Sequence, residues 1–485
     1  MTRILEPGKT CERICEVDRS GVLVDARDYY LAVHAALQRA QRYVLIAGWQ
    51  FDSAVPLVRG ADAEQVTGPV RLLELIEHVV KANPQLAVYI LAWDYSLVLA
   101  LEREWLQRFK FDWRTNERIH FVFDDQHPVG ASHHQKLVVV DQTIAFAGGI
   151  DLCDARWDDP QHALDSPERV TLKGEPQKPY HDLMAYGTGA AVGDLTRLFC
   201  LRWQRAAGEP LDLPEVAPGE PPPLPNALPI ECGEMAISVT FGEHPSSGTA
   251  KVEQIMHLHE QAIARAEKLI YIETQYFTSH AIHDALCKRM RHGGSGLEVV
   301  IVMPNSADTP KENFALGDAQ RWVLSSLCAA AKEHGDELRV LYSAAKNAQG
   351  ELVPTFIHSK LLAVDDRLLT VGSANLTNRS MSLDSELNAV WECCADDDPL
   401  SRSIARVRAT LLCEHAGIAY DPSLERLGGL CARLDALIGR SKLHRREFDQ
   451  HPDQIERTPL LVRAFDPEAP LDDFELDELI EPRRD

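Results

Sequence analysis

The sequence predicts an α/β protein: two similar α/β/α lobes from an internal duplication, each with a mixed, mostly parallel sheet. Three observations lead there. A short polar-apolar word in the first half returns in the second. Helix-period segments alternate with short apolar runs in both halves, the pattern of crossover units. A proline-rich stretch with little to pack divides the halves, containing Pro214, Pro218, Pro221, Pro222, Pro223 and Pro225. The expected boundaries are a first lobe over 1–208, a linker over 209–230, a second lobe over 231–415 and a helical extension with an acidic tail over 416–485.

Taken in order, residues 28–42 read as a helix with Tyr30, Leu31, Val33, Ala36 and Leu37 on a common side. They feed an apolar strand over 43–49. A second amphipathic helix over 70–81 feeds a strand over 87–93. Trp49, Asp52, Trp93 and Asp94 fall at strand ends, where open α/β sheets place their sites. Residues 195–205 read as a helix with one apolar side. In the second half, the words at 265–272 and 297–302 echo those at 39–46 and 86–91. Beyond Glu414, residues 424–443 read as a helix with Leu427, Leu430, Leu434 and Leu437 at helical spacing. The final stretch, with Phe474, Leu476, Leu479 and Ile480, reads as a solvated tail.

The recurring word carries the chemistry. His134, Lys136 and Asp141 follow the pattern H-x-K-x4-D, then Gly149 and Asp151. On an extended strand, residues two apart leave from one face, so His134 and Lys136 are neighbours. An imidazole beside a fixed cation suits attack on a phosphate, one group to react and one to hold negative charge. His358, Lys360 and Asp365 repeat the pattern, followed by Ser373 and Asn375. The offset is constant: 358 − 134 = 224, and the same 224 relates Lys136 to Lys360, Asp141 to Asp365, Gly149 to Ser373 and Asp151 to Asn375.

These two words, with GG-x-D after the first and GS-x-N after the second, resemble the phospholipase D superfamily. The stretches 272–277 and 372–380, with Arg156-Trp157-Asp158 and Tyr180-His181-Asp182, are similar to its eukaryotic-type, phosphatidylcholine-cleaving branch. The resemblance covers about residues 5 to 415 and implies one active site shared by two lobes. It implies His134, Lys136, His358 and Lys360 as catalytic groups, with Asp182 serving His134 and Glu386 serving His358 to fix their tautomers. It places Asp151, Ser373, Asn375, Gln275 and Trp49 around phosphate or substrate; Asp141 and Asp365 sit beyond the motif strands, which assigns them a structural part. Asp151 would bring a negative charge near the phosphate, or pair with a lysine or a headgroup cation. No metal or other cofactor is expected, because two lysines supply the charge at the site. The long polar segment between Asp151 and Tyr180 is either a lid or a surface insertion.

The implied reaction passes through a phosphohistidine, with His134 as nucleophile and His358 as acid/base; the near-symmetry leaves the reverse assignment open. Three readings follow: hydrolysis of a glycerophospholipid to phosphatidate, phosphatidyl transfer of the cardiolipin synthase kind, or cleavage of another phosphodiester such as nucleic acid. The net charge of −23 disfavours a nucleic-acid track and broad docking on anionic lipid. A non-enzymatic scaffold is disfavoured because both words are complete. No run of 18 apolar residues and no signal-peptide core is visible, and the eleven cysteines lack metal-finger spacing. These features lead to the expectation of a cytoplasmic protein that meets lipid from the membrane surface, without room for a separate lipid-binding domain ahead of the first lobe.

Overall fold

The computed structural model describes residues 3–94, 116–224, 226–244, 248, 250–306, 310–393, 399–447 and 465–470. Its frame is a pair of sheets with the same core order. In the first, the strands run Leu228–Ile230, Ser20–Val24, Leu183–Gly187, Ile144–Gly148, Lys136–Val140, Tyr43–Gly48, Ala87–Trp93 and Ile119–Asp124. In the second, the matching strands are Glu234–Phe241, Glu386–Glu392, Leu368–Gly372, Leu361–Val364, Leu269–Glu273, Glu298–Val302 and Glu337–Lys346, with further strands at the edges. The duplication read from the sequence is therefore present strand for strand.

Both sheets are mixed, but the antiparallel share is larger than expected. Only Tyr43–Gly48 with Ala87–Trp93 and Ile119–Asp124, and their counterparts, pair in parallel within the two sheets. The motif strand and the strand after it are joined by a turn of three residues. So short a connection can only reverse the chain, and Lys136–Val140 pairs antiparallel with Ile144–Gly148.

Strand alternation assigns the cores. Tyr43, Leu45 and Ala47 face a core shared by both lobes, while Val44 and Ile46 face an outer core under the helices Asp25–Arg39 and Leu72–Ala82. The helices Ala190–Ala207 and Pro399–Ala416 contribute Leu195, Phe199, Ile404 and Leu411 to the shared core. A third core lies under Gln254–Ala264 and His280–His292 on the outer face of the second sheet.

The chain passes between the sheets more often than a simple linker would allow. Arg13–Glu16 pairs with Glu234–Phe241 in the second sheet, and Leu228–Ile230 pairs with Ser20–Val24 in the first. The proline-rich stretch was expected to pack little, and here the structure differs. Leu211, Leu213 and Val216 lie against the shared core and Leu224 against the outer one. Gly219 N donates to Thr143 Oγ1 at 2.9 Å, and Arg39 Nη1 to the Pro221 carbonyl at 3.2 Å. Scattered leucines between prolines fix an extended segment as a strap.

The expected helix over 424–443 is also shorter. A 3-10 turn, Pro422–Glu425, is followed by Leu430–Leu437, and Leu443–Arg445 then extends the second sheet. Gly429 adopts φ 76° and stops any helix from running through it. Of the tail, Asp466 is buried and accepts from Thr278 Oγ1 at 2.5 Å and from Arg379 N at 2.8 Å. Residues 471–485, with Phe474, Leu476, Leu479 and Ile480, lie outside the described residues. Among the described residues no helix is long and apolar enough to cross a membrane.

The motif aspartates explain themselves at this level. Asp141, at φ 50°, accepts from the N–H groups of Gln41, Arg42 and Tyr43 at 2.7, 2.8 and 2.9 Å. Asp365, also at φ 50°, does the same for Glu267, Lys268 and Leu269 at 2.5, 2.7 and 2.7 Å. Each carboxylate closes the turn after its motif strand onto the start of the neighbouring strand.

Candidate active site

The two histidine words meet where the lobes meet. Their neighbours are fixed by backbone pairing from one lobe to the other. Phe356–Ile357, just ahead of His358, runs parallel to Tyr180–His181 of the first lobe. His358 N then donates to the His181 carbonyl at 2.8 Å. On the other side His133 bridges Ser385 in parallel, and His134 N donates to the Ser385 carbonyl at 3.0 Å. Each motif histidine is thus threaded alongside the residue preceding the other lobe's acid.

This pairing reverses the expected assignment of the carboxylates. His358 Nδ1 lies 2.6 Å from Asp182 Oδ2, and His134 Nδ1 lies 3.1 Å from Glu386 Oε2. Asp182 serves His358 and Glu386 serves His134, each across the lobe boundary. Sequence position suggested the same-lobe partner; the ladders carry each carboxylate to the opposite imidazole. With a carboxylate accepting at Nδ1, the reacting lone pair of each ring is at Nε2.

Support for the acids is local to each lobe. Glu386 accepts from the Ser373 hydroxyl, which itself accepts from Leu387 N at 3.0 Å. Ser373 is therefore committed behind Glu386 rather than turned toward a phosphate. At the equivalent position Gly149 leaves room for Asp182: a Cβ there would stand 2.1 Å from Asp182 Oδ1.

The cations gather in the same place. Lys136 Nζ is 3.0 Å from Asp151 Oδ2, both side chains nearly fully buried. Asp151 thus pairs with a lysine, one of the roles open to it, and its Oδ1 accepts from Trp49 N at 2.9 Å. Lys360 Nζ donates to the His358 carbonyl. Burial, with Lys136 nearby, pushes the Lys360 ammonium down to about 7 against the pull of Asp182. Burial also pushes Asp182 up to about 6, opposed chiefly by Lys360. His358 is held well below its ordinary value by burial and then by Lys360, Arg156, Lys136 and His134. Those four groups come from both lobes, so the two half-sites form one electrostatic unit.

Three comparisons bear on this arrangement. Residues 36–218 match the family model described as phospholipase D, and residues 260–403 match that described as cardiolipin synthase, PLD-like domain. The chain belongs to the phospholipase D superfamily. Among curated relatives, it is 27% identical over 460 residues to phospholipase D A of Dictyostelium discoideum, covering 81% of this chain and 35% of that protein. It is 24% identical over 531 residues to phospholipase D alpha 1 of Zea mays, covering 82% of this chain and 65% of that one. The chain thus spans less than two thirds of either relative's length. Phosphatidylserine synthase of Haemophilus influenzae shares the fold, with a TM-score of 0.53 and 17% identity over 82% of this chain and 87% of that chain.

Other expected site residues of this superfamily member fall at different depths. Asn375 is buried, and its Oδ1 accepts no hydrogen bond from the described residues. Trp49 stacks on Trp93 with ring centroids 5.7 Å apart. Gln275 lies two residues past the strand Leu269–Glu273, half-buried; among the described residues the contacts that join the imidazoles and lysines do not include it. His133 is structural: its Nδ1 meets Ser385 Oγ at 2.8 Å and its Nε2 meets Asp124 at 3.1 Å. The segment between Asp151 and Tyr180 is packed at its centre, where Trp157, Asp158, His162 and Arg169 are all buried.

Two residues went unassigned in the sequence. Arg156 faces the Tyr180 ring at 5.3 Å, and its Nε donates to no described acceptor. Tyr180 lies 5.5 Å from the His358 ring. The only sequence signal was their place in the stretches around Trp157 and His181; spacing alone gives no reason to aim either at the centre.

The crowding at Gly149 is testable. Gly149→Ala is expected to lower unfolding stability by about 1–3 kcal/mol in a urea titration, since the methyl must displace Asp182. Gly233→Ala, where an added Cβ meets nothing within 4 Å, is the control and should change little. Equal effects would contradict the placement of Asp182.

Proposed function

We propose that this protein is a phospholipase D-type phosphodiesterase that hydrolyses glycerophospholipids to phosphatidate and a free headgroup, with alcohol able to replace water. The observation carrying this reading is the pair of Nε2-reactive imidazoles, each oriented by a buried carboxylate, within one cluster of Lys136, Lys360 and Arg156.

In the proposed first step His134 Nε2 attacks phosphorus. The phosphorus–headgroup oxygen bond breaks, and His358 Nε2 gives its proton to the leaving alkoxide. His358 then removes a proton from water, whose oxygen attacks phosphorus as the P–N bond breaks. Phosphatidate leaves and His134 returns neutral. Lys136, Lys360 and Arg156 hold the non-bridging oxygens throughout, and Asn375 adds an uncharged donor.

Charge decides when His358 can carry its proton. At rest, three cations and the three carboxylates Asp151, Asp182 and Glu386 balance, and burial among cations keeps His358 neutral. A bound phosphodiester adds one negative charge. One proton on His358, facing Asp182, restores neutrality, so substrate binding recruits the acid. The protein would meet lipid from the membrane surface.

Phosphatidyl transfer to phosphatidylglycerol is the second reading, favoured by the cardiolipin synthase-type model matched by residues 260–403. Mixed lipid vesicles with ethanol, read by mass spectrometry, separate the readings. Phosphatidate and phosphatidylethanol are expected, reduced at least about a thousandfold in His134→Ala and His358→Ala. Cardiolipin as the main product would favour transfer. Turnover of nucleic acid with no lipid product would overturn both.

Substrate-driven protonation of His358 predicts a split between two pH profiles. In the free enzyme His358 loses its proton well below 6.5, so kcat/KM falls as pH rises from mildly acid values. In the substrate complex the His358 pKa is raised, so kcat holds to higher pH. Coincident basic limbs would contradict substrate-driven protonation.

A further inference from the structure

Behind the catalytic centre lies a cluster that the reaction does not use. Asp25, His162 and His181 of the first lobe meet Glu414 of the second, from the helix Pro399–Ala416. We propose that these four side chains form a closed site for a divalent transition-metal ion, zinc foremost, that rivets the lobes together.

The geometry fits four-coordination. The four side chains are between 0% and 5% exposed, and one ligand atom from each lies within 4.8 Å of the others. Glu414 Oε1 is 2.6 Å from His181 Nδ1 and 3.1 Å from His162 Nε2. Asp25 places Oδ1 3.2 Å from His181 Nδ1 and Oδ2 3.6 Å from His162 Nε2. A tetrahedron around zinc with bonds of about 2.0–2.1 Å has edges of about 3.3 Å.

The outer partners are those that ligating histidines need. His162 Nδ1 lies 2.9 Å from Asp158 Oδ2, and Arg169 holds the other oxygen of Asp158 at 2.8 Å. His181 Nε2 lies 3.0 Å from Glu273 Oε2, which also accepts from Ser359 Oγ at 2.5 Å. Each outer nitrogen thus donates to a carboxylate, leaving the lone pair of the inner nitrogen turned into the cluster.

Hydrogen bonding satisfies only part of the interior, through His162 Nε2 with Glu414 Oε1 at 3.1 Å and Asp182 N donating to Asp25 Oδ1 at 3.2 Å. Asp25 Oδ2 and His181 Nδ1 are buried without a hydrogen-bond partner, although carboxylate and imidazole atoms stand close by. Their contacts are short in distance but misdirected for N–H donation, as expected of atoms converging on a shared point. Two carboxylates and one divalent cation cancel in charge.

Two imidazole nitrogens and two carboxylate oxygens suit zinc or cobalt, whereas calcium takes six to eight oxygens. Four protein ligands leave no open position, so the ion would be structural. The site is distinct from the phosphate centre and stands whether or not the lipid reading holds. It is connected to that centre all the same: His181 precedes Asp182, and Ser359 follows His358. Ligands at 25, 162, 181 and 414 have no motif spacing, which is why the sequence gives no sign of it.

The test uses the full chain purified without a histidine tag, exposed to zinc, passed through gel filtration and assayed by elemental mass spectrometry. About one zinc per chain is expected, with cobalt replacing it to give the intense visible bands of a tetrahedral site. Chelation should lower Tm and zinc restore it. Glu414→Gln and Asp25→Asn should lose most of the metal; Asn tolerates the φ of 61° at position 25. Cys431→Ser, in a separate Glu298/Glu337/Cys431 group, should keep it. A folded wild-type chain that retains less than about a tenth of an equivalent and gives no cobalt spectrum overturns the site. Undiminished metal in folded Glu414→Gln and Asp25→Asn does so equally.

Discussion

Two short cross-lobe contacts organise the centre: the parallel pairing of Phe356–Ile357 with Tyr180–His181, and the bridge from His133 to Ser385. Each threads the residues ahead of a motif histidine beside those ahead of the other lobe's acid. Asp182 and Glu386 cannot then reach the histidine of their own lobe; they face the one opposite. The constraint makes the lobes interdependent. Neither holds a complete imidazole–carboxylate pair, so the chemistry exists only while the lobes stay in register. The swapped strands Arg13–Glu16 and Leu228–Ile230, and the packed proline-rich strap, serve that register from the outside.

Electrostatics sets the second condition. Buried ions are tolerated only when paired and hydrogen-bonded. Lys136 meets this through Asp151, and Glu386 through Ser373 and His134. Within the phosphate centre, the groups whose ordinary charge burial weakens are Lys360, Asp182 and His358, the three that crowd together on one side of it. A phosphodiester would relieve that crowding, which is why its arrival and the protonation of an imidazole belong together in the proposed mechanism.

Much of this was legible in the sequence. The constant offset of 224 gave the duplication, and spacing of two on a strand gave the His/Lys pairs. Asp141 and Asp365, set apart from the chemistry by position alone, turn out to cap the start of a neighbouring strand. What was not legible lies in tertiary pairing. Asp182 and Glu386 are related by 386 − 182 = 204, and nothing in that number says which lobe each faces. Ser373 looked like a phosphate donor because the resemblance places it beside the phosphate; only packing shows that Glu386 takes its hydroxyl. The histidine-carboxylate cluster behind the centre draws one residue from each of four distant segments, and periodicity cannot register such a group.

The measurement that tests the account most directly is a histidine-selective 15N NMR titration of the full chain, with Asp182→Asn and Glu386→Gln beside it. The crossed pairing predicts that Asp182→Asn changes the ring resonances and titration of His358 and leaves those of His134 in place, while Glu386→Gln does the reverse. If Asp182→Asn instead perturbs His134 alone, the carboxylates serve their own lobes, and the cross-lobe centre described above is wrong.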